Sequence, residues 1–537
     1  MKKLVRLLVL ALLTFTITFG SFACGGGPKP WEGKTIIEFG CYQGGWGREW
    51  LDKAIEKFQE MYPEYYVKVD YEKSYEDLQS KIVTGKQDIF YAGINLYDFL
   101  EQDEFMDITD VMTTPLNEYL ADSEIPITET KTIESKMTGT WQDMKDYCLS
   151  YDGHYYNVPF GGGLWTLNYN RDLFNRKKLF KDKDGDWCKA DGDLTVGQDG
   201  VAGTYDDGLP VTYEDFTELL EQMSEEEGMT PFFWSYVDGY TKHFAHALGV
   251  AQDGKDVFNI FKTMNGSYDF DGDGIAETAI DNTNAWKLRN TSGRKFALQF
   301  CKDVIENGYY DSQSGKSNQS HLTSQKRYVQ SEYNSKRGGN IKPIAFFIDG
   351  GHWHNEAEDV IAQTSERSGE DIQFGVMPFP WFEGCSAEKT TYYISSQNST
   401  LCIRKNATEP EGCKKLLAFL NTDEMLVLST KTSGIVRFMN YEMSETDLAA
   451  MPYYYQSTWE AAHNSDICYT ICANEKIFRN FNYFNLGWEW DCTAPNGLPL
   501  NNPLENFKAS ATSSVTVQQY FNALYSAGPS EWSKNVK

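Results

Sequence analysis

The chain has 537 residues, 41% hydrophobic and 15% aromatic, which exceeds one ordinary domain and suffices to bury sizeable cores in two or more. Its formal charge of −28 repels phosphate backbones, so nucleic acid is excluded as an expected partner. Aromatic residues in such surplus commonly line binding clefts, because their faces pack against flat apolar ligand surfaces.

Lys2, Lys3 and Arg6 form a basic start, and the apolar run Leu7 to Phe19 is too short to span a bilayer comfortably. Ser21-Phe22-Ala23 then gives a small-x-small cleavage pattern ahead of Cys24. Residues 1–23 are therefore expected to be a signal peptide. Cys24 is expected to be lipidated, and residues 24–34 to form a Gly/Pro tether to the outer face of the cytoplasmic membrane. Ser21 stands where the lipoprotein pattern usually has Leu, so plain secretion is the alternative. Ten cysteines remain after Cys24, and their spacing assigns no disulfide.

"TIIEFG" (35–40) is β-branched and apolar and reads as a strand. After the loop "CYQGGWGRE", Leu51, Ala54, Ile55 and Phe58 recur at i, i+3, i+4 and i+7, one face of a helix that Pro63 stops. "YYVKVDY" is a second strand, "YEDLQSKIV" a second helix and "DIFYAG" a third strand. Such alternation argues for a mostly parallel sheet with helical cover, whose ligands bind in the loops beyond the strands' carboxyl ends. Those loops are "CYQGGWG" and "GINLY". Further along, "LWTLNYNRDLF" reads as a strand running into a helix. Ile344 to Ile348 is a buried strand opening into the glycine loop of "IDGGHWHNE", and "EGCKKLLAFLN" is a helix with Cys413, Leu416, Leu417 and Leu420 on one face.

The order of these segments resembles the family 1 extracellular solute-binding proteins of carbohydrate ABC importers. The pieces that carry the resemblance are the lipoprotein-like start, "EWLDKAIEKFQEMYPEYYVKVDY", "DIFYAG", "VPFGGGLWTLNYNRDLF", "IAFFIDGGHW", "FGVMPFP" and "CKKLLAFLNTDEMLVLSTKTSGIVRF". The resemblance implies an α/β, two-lobed, periplasmic-binding-protein-like fold with a hinge, and an oligosaccharide held between the lobes for an ABC permease by a monomeric protein. It implies a first lobe over 35–165, a second over 166–394 with acidic insertions near 181–210 and 253–281, and a return to the first over 395–445. Residues 446–537 would then complete the second lobe and add an extension. By the same resemblance Trp353 is expected against the sugar, with Trp46 and Gln43 from the first-strand loop and Asn95 from the third. Gly163 and Trp165 precede "YNRDLF", and Asp349, Trp234 and Tyr236 complete the expected site. The residue types suit this chemistry, since sugar rings have apolar faces for Trp and Tyr and hydroxyl edges for polar groups.

"DFDGDGIAET" sets Asp269, Asp271 and Asp273 at positions 1, 3 and 5 of an EF-hand-like loop. The backbone carbonyl of Ile275 would follow at 7 and Glu277 at 9, while position 12 holds Ile280. "DKDGDWCKADGD" sets Asp182, Asp184, Asp186 and Asp193 similarly, with Trp187 where the motif expects glycine. Calcium as a structural clip is the expectation, an acidic turn the alternative. His352 and His354, two apart, would face the same way on an extended strand and could hold a transition metal with Asp349 and Glu356. A chain with only seven histidines lacks the His-rich tract of a zinc-uptake protein, so loop polarity or sugar hydrogen bonding is the preferred reading. A secreted glycoside hydrolase, needing two carboxylates at a set separation, and a binder of peptides or other solutes are the rival functions. No GxSxG, HExxH or phosphate loop is present.

Overall fold

The computed structural model describes residues 29–92, 99–100, 102–145, 150–263, 266–269, 279–280, 283–395, 400–469, 490–494 and 496–533. The strands that build its three principal sheets are, in chain order, β1 (Thr35–Tyr42), β2 (Tyr65–Glu72), β3 (Ile89–Ala92), β4 (Val158–Pro159), β5 (Leu164–Trp165) and β6 (Leu167–Asn170). They continue as β7 (Thr230–Trp234), β8 (Ile344–Ile348), β9 (Phe374–Met377), β10 (Thr391–Ile394), β11 (Thr400–Ile403) and β12 (Asp466–Tyr469).

The first lobe is a five-stranded sheet in the order β2-β1-β3-β11-β4. β1 runs parallel to β2 and β3, and β11 antiparallel to β3 and β4. The parallel part is the expected β/α alternation. Helix Glu49–Met61 buries Leu51, Ala54, Ile55 and Phe58 together with Trp50 and Met61, and the helix ends one residue before Tyr62-Pro63 because proline disfavours helix in the residue ahead of it. β11 arrives from the far end of the chain and is clamped by helix Pro410–Leu420, whose Cys413, Leu416, Leu417 and Leu420 are buried as their spacing predicts.

The second lobe is a four-stranded sheet in the order β7-β8-β6-β9. β7 and β8 are parallel, and β6 is antiparallel to both of its neighbours. β6 passes into helix Arg171–Lys177 at Asn170, whose side chain accepts the Leu173 N–H at 2.9 Å and caps the helix. Helices Asp238–Thr263 and Ser292–Glu306 pack beside this sheet on the same apolar core as Trp234, Phe244 and Phe300.

Between the lobes lie the crossing segments. The chain leaves the first sheet at β4 and enters the second at β6 through β5. It returns through β10, which pairs antiparallel with β5 (Tyr393 opposite Trp165) and parallel with β12. Near this crossing Gly163 and Gly351 touch backbone to backbone, and a Cβ on Gly163 would lie 2.9 Å from the Gly351 Cα. The described cysteines Cys41, Cys188, Cys301, Cys385, Cys402, Cys413 and Cys492 are free thiols.

Candidate ligand-binding site

A cleft of about 660 Å³ opens between the lobes, inside the usual range for small-molecule sites. The first lobe supplies the loop that leaves β1. Gln43, Gly44, Gly45 and Trp46 line the cleft with Tyr42, Lys73 and Tyr91. Gly44 and Gly47 adopt φ of 45° and 69°, a left-handed backbone that favours glycine. Gly45 is needed for a different reason. A Cβ there would sit 2.7 Å from Cδ2 of His352, so the first-lobe loop rests directly on the second-lobe loop.

The second lobe contributes Tyr240 and His243 from one face of helix Asp238–Thr263, His321 and Leu322 from the start of helix His321–Lys336, and Gly351, His352 and Glu356 from the loop after β8. The crossing segments add Gly162, Gly163, Trp165 and Ser395. The rings form a chain across the cleft. Trp46 meets His352 edge-on at 6.1 Å, His352 meets Tyr240 at 5.9 Å, Tyr240 meets Trp165 at 5.8 Å, and Trp165 stacks on His243 at 5.0 Å. Burial pushes His243 down to about 4 and His352 below the usual imidazole range. Both rings are therefore neutral near pH 7, each presenting one donor and one acceptor nitrogen. Flat apolar faces and neutral polar edges side by side are what a polyhydroxyl ring requires.

The structure brings together Gln43, Trp46, Gly163 and Trp165 of the expected residues; Asn95 lies outside the described residues. Four others are corrected. Trp353 is 0% exposed and is packed edge-on among Tyr328, Phe347, Phe374 and Tyr454 at 5.0–5.7 Å, so it belongs to the core. The cause is local. The chain turns into the short helix Trp353–Glu356 directly after the glycines, with the Trp353 N–H on the Gly350 carbonyl at 3.0 Å. Successive side chains then diverge by about 100°, and when His352 faces the cleft Trp353 faces inward. Trp234 is also 0% exposed and its Nε1 donates to Glu505 Oε1 at 2.6 Å inside the second lobe. Tyr236 is 59% exposed and lies off the cleft lining. Asp349 is 1% exposed, sealed behind the cleft with its Oδ1 on the Gly350 N–H at 2.7 Å.

The same helical turn separates the two histidines. His354 is buried and stacks on Tyr454 at 4.8 Å, away from His352. Among the described residues, no three or more His, Cys, Asp or Glu side chains are gathered as metal ligands. In the Asp182 loop the Asp182 Oδ1 accepts the N–H groups of Asp184 and Asp186 at 3.0 and 2.9 Å, and Asp193 pairs with Lys183 at 2.6 Å. Asp184 and Asp186 are exposed. Of the other loop, Asp269 is described, and Asp271, Asp273, Ile275 and Glu277 lie outside the described residues.

Residues 53–451 match the family model of the bacterial extracellular solute-binding proteins, and the chain belongs to that family. Solved structures of similar fold include RafE in complex with raffinose, at 12% identity and a TM-score of 0.55, covering 93% of this chain and 100% of that one. RafE is from Streptococcus pneumoniae. Others are the bacterial solute receptor AcbH, described with an exclusive preference for β-D-galactopyranose (14% identity, TM-score 0.52, 93% and 98% coverage), and a chitin oligosaccharide binding protein (13%, 0.53, 93% and 99%). At identities this low the likeness establishes the two-lobed fold alone. A comparison with curated protein sequences finds no match. No helix among the described residues is long and apolar enough to cross a membrane.

Proposed function

We propose that the protein captures a sugar or oligosaccharide between its lobes and delivers it to an ABC permease, without transforming it. The observation that carries this reading is the ring chain from Trp46 to His243, which spans both lobes of one cleft and interleaves apolar faces with neutral hydrogen-bonding edges. The sugar ligands named for RafE, AcbH and the chitin oligosaccharide binding protein support it. Closing the lobes would expel water and strengthen each polar contact. Cys24, as the lipidated residue, would hold a monomeric protein on the extracellular face of the cytoplasmic membrane.

A glycan-array and thermal-shift screen tests the reading, with Trp46→Ala as the control. That change is expected to weaken the binding of the best sugar by about 30-fold, a loss of about 2 kcal/mol typical of a buried aromatic anchor. It should leave the ligand-free melting temperature nearly unchanged, because Trp46 only edges onto the core. A melting shift with peptides and none with sugars would point to a peptide binder; depletion of the glycan would point to a hydrolase.

Calcium is proposed for the segment that begins at Asp269, on its alternating oxygens. Chelator-treated protein should melt several degrees lower than protein in millimolar calcium. Asp269→Asn should remove most of that difference.

A further inference from the structure

Glu356 is a half-buried carboxylate lining the cleft at the end of the turn Trp353–Glu356, whose first side chain is fixed in the core. Its Oε2 accepts a 2.6 Å bond from Gln325 Nε2, and Gln325 is itself buried. On the same helix as Gln325, Glu332 is tied to Arg176 and Lys336; among the described residues no cation is paired with Glu356. Behind it lies Asp349 with no route to solvent. Burial, and then the charge of Glu356, pushes Asp349 far above the usual carboxylate range. Two carboxyls in one site do not both ionise readily. The sealed Asp349 therefore favours its protonated form, and Glu356 is the carboxyl of the two that faces the cleft.

We propose that Glu356 is the second-lobe residue that grips the hydroxyl groups of the ligand, with Gln325 and Asp349 as positioning residues that hold its carboxylate in place. This rests on the saccharide reading above. An ionised carboxylate only accepts hydrogen bonds. With Oε2 committed to Gln325, Oε1 is left for O–H donors, and such charge-assisted bonds are among the stronger ones available. A ring carrying neighbouring hydroxyls supplies those donors, whereas a ligand with acceptors alone does not. Glu356 also stands on the loop that touches Gly45 of the opposite lobe through His352, so a ligand bonded to it lies against both lobes.

The test uses the full mature chain and the tightest neutral oligosaccharide found on a glycan array, with affinity measured by calorimetry. Glu356→Gln is expected to weaken binding about tenfold or more, with the ligand-free melting temperature unchanged. Asp349→Leu is expected to weaken it several-fold, and Asp349→Asn, a neutral group of the same shape as the protonated acid, to restore most of the loss. A general packing role for Asp349 would not predict that rescue. Unchanged affinity in a folded Glu356→Gln protein overturns this inference and leaves the saccharide reading standing. A parent protein that binds none of the array overturns both.

Discussion

Trp353→Ala is expected to lower the unfolding free energy of the ligand-free protein by about 3–5 kcal/mol, the range for deleting a large aromatic from a packed interior. The indole is wholly buried and meets four aromatic neighbours edge-on, from Tyr328 at 5.4 Å to Phe374 at 5.0 Å. Its loss would leave a cavity that these flat rings cannot close without tilting. Trp353→Phe, which keeps most of the volume, should recover more than half of the loss. Urea unfolding followed by circular dichroism measures the change. Calorimetry at a temperature where the variant is folded should show a smaller effect on affinity, passed on through the loop that carries His352 and Glu356. Trp46→Ala should give the reverse pattern, lost affinity with stability kept. Full stability in Trp353→Ala combined with abolished binding would return Trp353 to the cleft.

That contrast shows where sequence reasoning reached and where it stopped. The 2.0 and 3.6 periodicities of the first hundred residues carry strong signals, and β1, β2, β3 and the helices between them fall where the pattern puts them. The topological rule for parallel sheets points to the loop after β1, and Gln43 and Trp46 of that loop lie beyond the strand's carboxyl end and line the cleft. Within a loop, however, the direction of a side chain depends on one or two dihedral angles. After Gly350-Gly351 the expected glycine loop passes at once into a helical turn, and a single position of rotation exchanges the roles of His352 and Trp353. Tyr240 and His243 carried a usable signal, since i and i+3 share one face of a helix, but only the fold shows that this face looks across at the first lobe. Glu356 is visible in "GGHWHNE", but residue type alone offers it only as a fourth group of the disfavoured metal set. That no cation among the described residues pairs with it is a property of the packed structure.

Lys136→Met is expected to destabilise the first lobe by about 3 kcal/mol, because it removes the cation from a largely buried ion cluster and leaves the acids behind. The Lys136 side chain is 0% exposed. Its ammonium pairs with Glu129, lies 2.9 Å from Asp423 Oδ1, and donates to the Asn421 carbonyl at 2.7 Å. Burial opposes ionisation of Asp423, yet the charges and bonds of Lys136 and Lys131 hold it below the ordinary carboxylate range. The loss falls at the low end for buried pairs because Asp423 still reaches water and Lys131, 3.2 Å away. The cluster matters for function through chain order. Lys136 belongs to the first pass of the chain through this lobe and Asn421 to its return, 285 residues later, with most of the second lobe threaded between. Ordering so long a closure has an entropic cost that the contacts at its end must offset, and this cluster seals the junction. A lobe that is to close on a ligand as one body needs its two chain segments locked together. Urea unfolding of Lys136→Met should therefore show an early loss of first-lobe signal. Adding Glu129→Gln and Asp423→Asn, which remove the stranded charges, should restore part of the stability. If Lys136→Met unfolds within about 0.5 kcal/mol of the parent, the size of an ordinary surface change, the cluster is not what joins the two segments, and the apolar contacts of helix Pro410–Leu420 must do so alone.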